Sequence, residues 1–153
     1  VLRHAHAENG SIALTDIQRP LTQAGFDKLE RIRAQLNKEL SAIDAIFSSS
    51  AVRTQQTAEF MHQASARTDI TLKTEPLFYD CDYQSLYRYL QAIDNQYTAV
   101  MIVGHNPVLS QLIGFLTNEN LYLDPADCYV IEFDIDDWQA LFCHSGHRIG
   151  YYR

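Results

Sequence analysis

Three short apolar runs in this chain each lead into an arginine or a histidine, and this repetition constrains the fold. The first run ends at Arg3 and His4, and a second ends just before His105. A third run precedes the segment that carries Arg53. Short apolar strands that alternate with helical segments are typical of α/β proteins, in which the carboxyl ends of parallel strands share one edge of the sheet. We therefore expect these four side chains to meet at that edge.

Helical periodicity is clearest in residues 22–40, where apolar side chains recur every three or four positions and Thr22 is a suitable N-cap. Pro107 suits the first turn of a helix that continues to Leu116. The predicted helices are residues 22–40, 52–63, 84–93 and 107–116, and the predicted strands after the first are residues 45–48, 70–73 and 100–103.

Near the C-terminus, residues 129–135 and 139–143 alternate or run apolar on either side of Asp136 and Asp137, which predicts a hairpin. A length of 153 residues with 46% hydrophobic composition fits one core. The predicted fold is a single-domain, three-layer α/β sandwich spanning residues 1–153. Its sheet is mostly parallel, with an antiparallel element near the C-terminus.

Composition excludes several classes of function. The formal net charge of −7 argues against a nucleic-acid partner, which favours basic surfaces. Cys81, Cys128 and Cys143 have no metal-type spacing, and an odd count makes a poor disulfide framework, so we expect a cytoplasmic protein. No apolar run approaches the roughly 20 residues of a membrane-spanning helix. The pair His144 and His147 lacks further ligands, so no metal site is predicted.

Two arginines and two histidines at strand exits indicate chemistry on a phosphoryl group. Guanidinium groups hold phosphate oxygens with paired hydrogen bonds and stay charged, which suits Arg3 and Arg53. An imidazole that is unprotonated near neutral pH can attack phosphorus, and we assign that role to His4. His105 is then a further donor to the same oxygens, acting as an imidazolium because a bound phosphate raises its pKa.

Four motifs resemble the histidine phosphatase superfamily, most closely its short branch, the SixA-type phosphohistidine phosphatases. They occur in the same order as in that family and span most of the chain. One departure is Ala5, which stands where the family has glycine after the histidine. The motifs are LRHA from Leu2, RPLT from Arg19 with Gly25 beyond it, SSSAVRTQQTAE from Ser48, and VGHNP from Val103.

The resemblance implies a phosphoglycerate mutase-like fold and the same catalytic roles for Arg3, His4, Arg53 and His105. It also implies hydrolysis of phosphohistidine on a protein, a phosphotransfer domain or a phosphocarrier, through phosphorylated His4. No cofactor is expected, and phosphate or sulfate should bind in the pocket. Arg19 of the RPLT motif either reaches the phosphate or pairs with a carboxylate in the loop.

The general acid is not identified by the sequence. Glu75, Asp80 and Asp82 are equivalent candidates. A phosphate ester needs such an acid, whereas phosphohistidine releases a neutral imidazole and needs less help. Two alternatives stay open: a phosphatase of small phosphomonoesters such as sugar phosphates, and a phosphate-binding module without turnover. The short run before Arg3 also leads us to expect further residues before Val1.

Overall fold

The computed structural model, which describes residues 1–10, 12, 14–65 and 67–153, has one six-stranded sheet in which four neighbouring strands run parallel. The strand order is β3-β2-β4-β1-β5-β6, and the last two strands run antiparallel to their neighbours. The strands are β1 (Leu2–Arg3), β2 (Ala45–Ser49), β3 (Thr71–Glu75), β4 (Val100–Gly104), β5 (Cys128–Phe133) and β6 (Gly146–Tyr152).

In the described part of the chain, five α-helices cover the two faces of this sheet, which gives three layers. Side chains of one strand alternate between two apolar clusters: Ile46 packs with residues of the first and third helices, whereas Phe47 packs with residues of the fourth and fifth. The predicted α/β class is therefore confirmed. The helices are α1 (Gln23–Gln35), α2 (Asn37–Ala42), α3 (Val52–Ala64), α4 (Tyr83–Gln91) and α5 (Val108–Thr117).

The first predicted helix, residues 22–40, is two helices. Thr22 is the N-cap, as expected, and its hydroxyl accepts a hydrogen bond from the Gly25 amide. The helix ends at Leu36, whose ψ of 13° departs from helical geometry while its side chain stays fully buried. The break redirects the chain, so that Leu40 of α2 also enters the core.

The C-terminal hairpin prediction is wrong in its second strand. β5 pairs with β6 rather than with residues 139–143. Trp138–Ala140 form a short 3₁₀ turn, in which the Trp138 indole donates to the Tyr97 carbonyl at 2.7 Å. Leu141 is 2% exposed and packs in the core. Leu141 packs with Leu86 and Leu90 of α4, whereas Phe142 is 60% exposed, so the apolar pattern of residues 139–143 did not mark a strand.

The sheet order places the exits of β1, β2 and β4 side by side. Leu2 pairs with Val103 of β4 on one side and with Cys128 of β5 on the other. β4 pairs in turn with β2. Because the three strands are parallel, the residues that follow them, including His4 and His105, emerge at one edge.

No helix in the described part of the chain is long and apolar enough to cross a membrane.

Candidate active site

His4 follows β1 and is held by backbone contacts on two sides. Its amide donates to the Gly104 carbonyl at 3.1 Å, and its carbonyl accepts from the Ala126 amide at 3.1 Å. Nδ1 lies 2.7 Å from the Ala5 carbonyl oxygen, which can only accept. Nδ1 therefore carries the proton, and Nε2 keeps its lone pair for the pocket.

Arg3 is fixed by the loop that precedes β5. Its Nη1 donates to the Leu123 carbonyl at 2.7 Å, and its guanidinium lies 5.7 Å from the centre of the Tyr122 ring. The same Leu123 carbonyl accepts from Asn106 Nδ2 at 2.8 Å. Arg3 and the residue after His105 are thus held by one carbonyl.

The loop carrying Leu123 is tied down by the buried carboxylate of Asp127. This side chain is 1% exposed and accepts from Lys28 Nζ at 2.9 Å and from Tyr151 Oη at 3.0 Å. It also accepts from the Asp124 amide at 3.0 Å. A buried charge that is fully paired rigidifies its surroundings, and here it steadies the loop that holds Arg3.

Arg53 lies in the first turn of α3 and is only 5% exposed. Thr57 Oγ1 donates to the Arg53 carbonyl at 2.7 Å and accepts from the Ala5 amide at 3.2 Å. This hydroxyl connects α3 to the segment after His4. The burial of Arg53 excludes a solvated first-turn arginine at this position.

His105 follows β4, and its ring faces that of His4. The ring centroids are 5.2 Å apart at an interplanar angle of 62°. His105 Nε2 lies 2.8 Å from Ser49 Oγ, at the end of β2. Ser49 is fully buried and was not singled out from the sequence, although its position at a strand exit was a usable signal.

Both imidazoles are neutral near pH 7. Burial, aided by the charges of Arg53 and Arg3, lowers the pKa of His4 to about 3 and that of His105 to about 4. A neutral His4 agrees with the expected nucleophile. An imidazolium at His105, by contrast, requires that an anion bind first and raise its pKa.

Asp16 joins the site, and the sequence analysis missed it. It lies in the loop after His4, in a short 3₁₀ turn, Asp16–Gln18. Arg53 donates to it twice, from Nη1 to the backbone carbonyl at 2.6 Å and from Nη2 to Oδ2 at 2.9 Å. Arg19 Nε lies 3.1 Å from Oδ1. Arg19 therefore pairs with a loop carboxylate, one of its two expected roles, but that carboxylate belongs to the site.

Tyr79 completes this group from the opposite side. Its hydroxyl donates to Asp16 Oδ2 at 2.9 Å, and its ring stands edge-on to His105 with centroids 5.9 Å apart. Partial burial alone would raise the pKa of Asp16, but the hydrogen bonds from Tyr79 and Arg53 lower it. Asp16 is thus ionised at neutral pH.

Three guanidinium nitrogens around the site make no hydrogen bond among the described residues, and one of them, Arg19 Nε, still lies within ion-pair distance of Asp16. Arg3 Nε and Arg53 Nε are both buried and make no hydrogen bond there. Buried donors are normally satisfied, so their arrangement fits an anion that accepts from both. The cluster of Arg3, His4, Arg53 and His105 can hold a phosphoryl group and attack it.

The three candidate acids are engaged elsewhere or exposed. Glu75 accepts from Tyr89 Oη at 2.8 Å and pairs with Lys73 Nζ at 2.6 Å. Asp82 caps α4 by accepting from the Ser85 amide at 2.8 Å, a bond that lowers its pKa. Asp80 is exposed.

Other features lie apart from this cluster. His6 contacts Thr22 Oγ1 through Nδ1 at 2.9 Å. A cavity of about 610 Å³ lies at the amino ends of β1 and β4, away from His4. Among the residues described, no group of three or more His, Cys, Asp or Glu side chains could hold a metal ion.

Comparison with known sequences identifies a family and a plant relative. A family model described as the histidine phosphatase superfamily (branch 1) matches residues 1–89. An uncharacterized chloroplastic protein of Arabidopsis thaliana is 27% identical over 156 residues, which cover 95% of this chain and 71% of that protein.

Solved structures give the fold. A protein assigned as the phosphohistidine phosphatase SixA of Agrobacterium tumefaciens superposes with a TM-score of 0.81 at 24% identity, covering 98% of this chain and 93% of that chain. The protein histidine phosphatase SixA complexed with tungstate superposes with a TM-score of 0.81 at 21% identity, covering 99% and 93%. This chain therefore has the fold of SixA-type proteins.

Proposed function

Because this chain belongs to the histidine phosphatase superfamily, we propose that it is a phosphatase that removes phosphate from a histidine side chain of a protein. The substrate would be a phosphotransfer domain or a phosphocarrier. The tungstate bound by one protein of the same fold supports an oxyanion site here, because tungstate resembles phosphate in charge and shape.

In the proposed first step, His4 Nε2 attacks phosphorus while the proton stays on Nδ1, which donates to the Ala5 carbonyl. Arg3 and Arg53 receive the phosphate oxygens, using the Nε groups that lack protein partners among the described residues. His105 gains a proton as the anion binds and becomes a further donor. Water then attacks phosphorylated His4 and releases phosphate.

The observation that carries the proposal is the lack of a proton-donating carboxyl group beside the described phosphate donors. Asp16 is the carboxyl group in contact with Arg53, and its pKa is lowered. An ionised carboxylate cannot protonate an alkoxide, which leaves poorly without a proton. Imidazole leaves as a neutral base, so phosphohistidine fits this site better than a phosphate ester does.

A small-phosphomonoester phosphatase is the second candidate. It would require that a bound phosphate dianion raise the pKa of Asp16 enough to protonate it. Asp16 would then serve as the general acid that Glu75, Asp80 and Asp82 do not supply.

The test is a comparison of kcat/KM on one enzyme preparation for a phosphohistidine peptide, para-nitrophenyl phosphate and several sugar phosphates. We expect the phosphohistidine peptide to be hydrolysed most efficiently and the sugar phosphates least. A sugar phosphate hydrolysed more efficiently than the peptide would overturn the proposal in favour of the second candidate. No turnover of any substrate would instead favour a binding module.

A further inference from the structure

The Asp16 carboxylate has an acceptor position free for a ligand. Its Oδ2 accepts from Arg53 Nη2 and Tyr79 Oη, both at 2.9 Å, and its Oδ1 lies 3.1 Å from Arg19 Nε. A carboxylate offers about four acceptor positions, so these contacts leave about one. The side chain is 57% exposed, which places that position toward solvent.

Asp16 lies on the outer side of the phosphate donors. Arg53, which it contacts, is only 6% exposed in its side chain, so the carboxylate lies between this buried cation and the solvent. His4 is fixed on the inner side by Gly104 and Ala126. In an in-line transfer the leaving group departs on the side of phosphorus opposite the nucleophile. A leaving group displaced by His4 has to depart toward solvent, and Asp16 is the 57% exposed carboxylate that contacts the phosphate donor Arg53.

We propose that the Asp16 carboxylate accepts a hydrogen bond from the distal ring nitrogen of the substrate phosphohistidine and so selects imidazole over alcohol leaving groups. This inference rests on the proposed function and adds to it the recognition of the leaving group. The distal nitrogen is the ring nitrogen that does not carry phosphorus.

With the Asp16 contact in place, the substrate imidazole and His4 exchange roles during phosphoryl transfer, so the step is nearly symmetric. The bond from phosphorus to the substrate nitrogen breaks, and its electron pair stays on that nitrogen, while the His4 Nε2 lone pair forms the new bond. The substrate enters as a phosphoimidazolium, with its distal N–H facing Asp16, and leaves as neutral imidazole with the same proton. His4 keeps its Nδ1 proton toward the Ala5 carbonyl and becomes the phosphoimidazolium. No proton changes its atom in this step.

An alcohol leaving group is disfavoured by the same carboxylate. Its oxygen gains negative charge as the bond to phosphorus breaks, and it has no second N–H to offer. A carboxylate that Tyr79 and Arg53 keep ionised repels that charge. The residue that stabilises an imidazolium thus disfavours an alkoxide, which gives selectivity in both directions.

Asp16 also holds Arg53, so its replacement affects every substrate to some extent. The experiment must therefore separate loss of the Arg53 contact from loss of the leaving-group contact. Three probes do so: N-phosphoimidazole, its distally methylated analogue 1-methyl-3-phosphoimidazolium, and para-nitrophenyl phosphate. The methylated probe has the same leaving ring but no distal N–H.

The measurement is kcat/KM for each probe with wild type, Asp16→Asn and Asp80→Asn, each divided by the uncatalysed rate. Asp80→Asn is the matched control, because it removes one charge from an exposed residue next to Tyr79. We expect Asp16→Asn to lower kcat/KM for N-phosphoimidazole roughly 10- to 100-fold more than it lowers kcat/KM for the methylated probe or for para-nitrophenyl phosphate. This is the range for a lost charged hydrogen bond. Asp80→Asn should leave the ratios among the probes unchanged.

Equal losses on all three probes, or no loss, would overturn the inference, since Asp16 would then at most position Arg53. A wild type that turns over para-nitrophenyl phosphate but neither imidazole probe would instead refute the proposed function itself. If Asp16→Asn does not fold, the wild type alone decides. Its kcat/KM, divided by the uncatalysed rate of each probe, must be higher for N-phosphoimidazole than for the methylated probe. A lower value for N-phosphoimidazole rejects the contact.

Discussion

The rings of His4 and His105 meet edge to face, with centroids 5.2 Å apart, in a pocket that keeps both uncharged. Burial and two neighbouring guanidinium groups oppose protonation of either ring. A phosphate dianion reverses this balance for the ring that does not attack it. The pair can therefore divide into a neutral nucleophile and a charged donor as the substrate binds.

His4→Ala should abolish turnover, because it removes the nucleophile. His105→Ala should leave a slower enzyme that lacks one donor to the transition state, with a loss of about 100-fold or more. Rapid quench with labelled substrate should trap acid-labile phosphate on the wild type and none on His4→Ala. Equal labelling of both proteins would refute the assignment of His4.

The depressed histidine pKa values predict that stability falls as the pH is lowered. The unfolded chain protonates each histidine near pH 6.5, whereas the folded chain resists until about pH 4 for His105 and about pH 3 for His4. Between these limits the unfolded state binds more protons, so the free energy of unfolding decreases with falling pH. Over this range, each histidine lowers the free energy of unfolding by about 1.4 kcal/mol for each pH unit of acidification.

Urea titrations of wild type and His105→Gln between pH 7 and pH 4.5 measure this contribution. The variant should show a shallower loss of stability over that range. His147→Gln, at an exposed position of β6, is the control and should keep the wild-type slope. A His105→Gln slope equal to that of wild type would mean that His105 is not held neutral by the fold.

Gly25→Ala should damage both stability and activity. The first turn of α1 packs so closely on the His6 backbone that a methyl group at position 25 would collide with the His6 carbonyl oxygen. Overpacking of this kind costs about 1–3 kcal/mol, and relief requires movement of the segment that follows His4. Urea midpoints and kcat/KM, measured with Gly10→Ala for comparison, test this. A methyl group at Gly10 meets only the Arg19 side chain, at 3.8 Å.

Replacing Glu75, Asp80 and Asp82 singly by their amides should reduce phosphohistidine hydrolysis only modestly, because imidazole departs without a strong acid. Ester hydrolysis should fall no further than phosphohistidine hydrolysis, because Glu75 and Asp82 are engaged elsewhere and Asp80 is exposed, so an unchanged ratio of the two activities is the expected readout. If one folded variant lost both activities by about 100-fold or more, that residue would be a general acid. The phosphomonoester alternative would then be the better one.

Activity should not require a divalent metal, because Arg3 and Arg53 provide the positive charge that a metal supplies in other phosphatases. Treatment with a chelator followed by dialysis should leave kcat/KM unchanged. Activity that is lost in the chelator and restored by magnesium or zinc would contradict this.

The sequence predicted the meeting of Arg3, His4, Arg53 and His105 because each lies at or just after the end of a strand, and parallel strands share an exit edge. Asp16 and Tyr79 belong to no such pattern. Each lies in a short 3₁₀ turn outside the periodic segments. Their approach depends on how two loops pack around Arg53, which periodicity does not encode.

The limits of periodicity also explain two wrong predictions of secondary structure, the single helix over residues 22–40 and the strand over residues 139–143. The apolar spacing continues unbroken through Leu36, so nothing in it marks the turn between α1 and α2. Leu141 is buried against α4 rather than paired in a strand, and the true edge strand, β6, carries exposed residues such as His147 and Arg148.

The central position of β1 has a consequence for the order in which the protein acquires activity. The strand that carries Arg3 is synthesised before β4 and β5, with which it pairs, and Arg3 Nη1 binds a carbonyl 120 residues away. Contacts between such distant parts of a chain form slowly. A nascent chain on the ribosome therefore holds an unfinished site until its last third has emerged and docked. Turnover thus reports completed folding rather than the presence of the nucleophile.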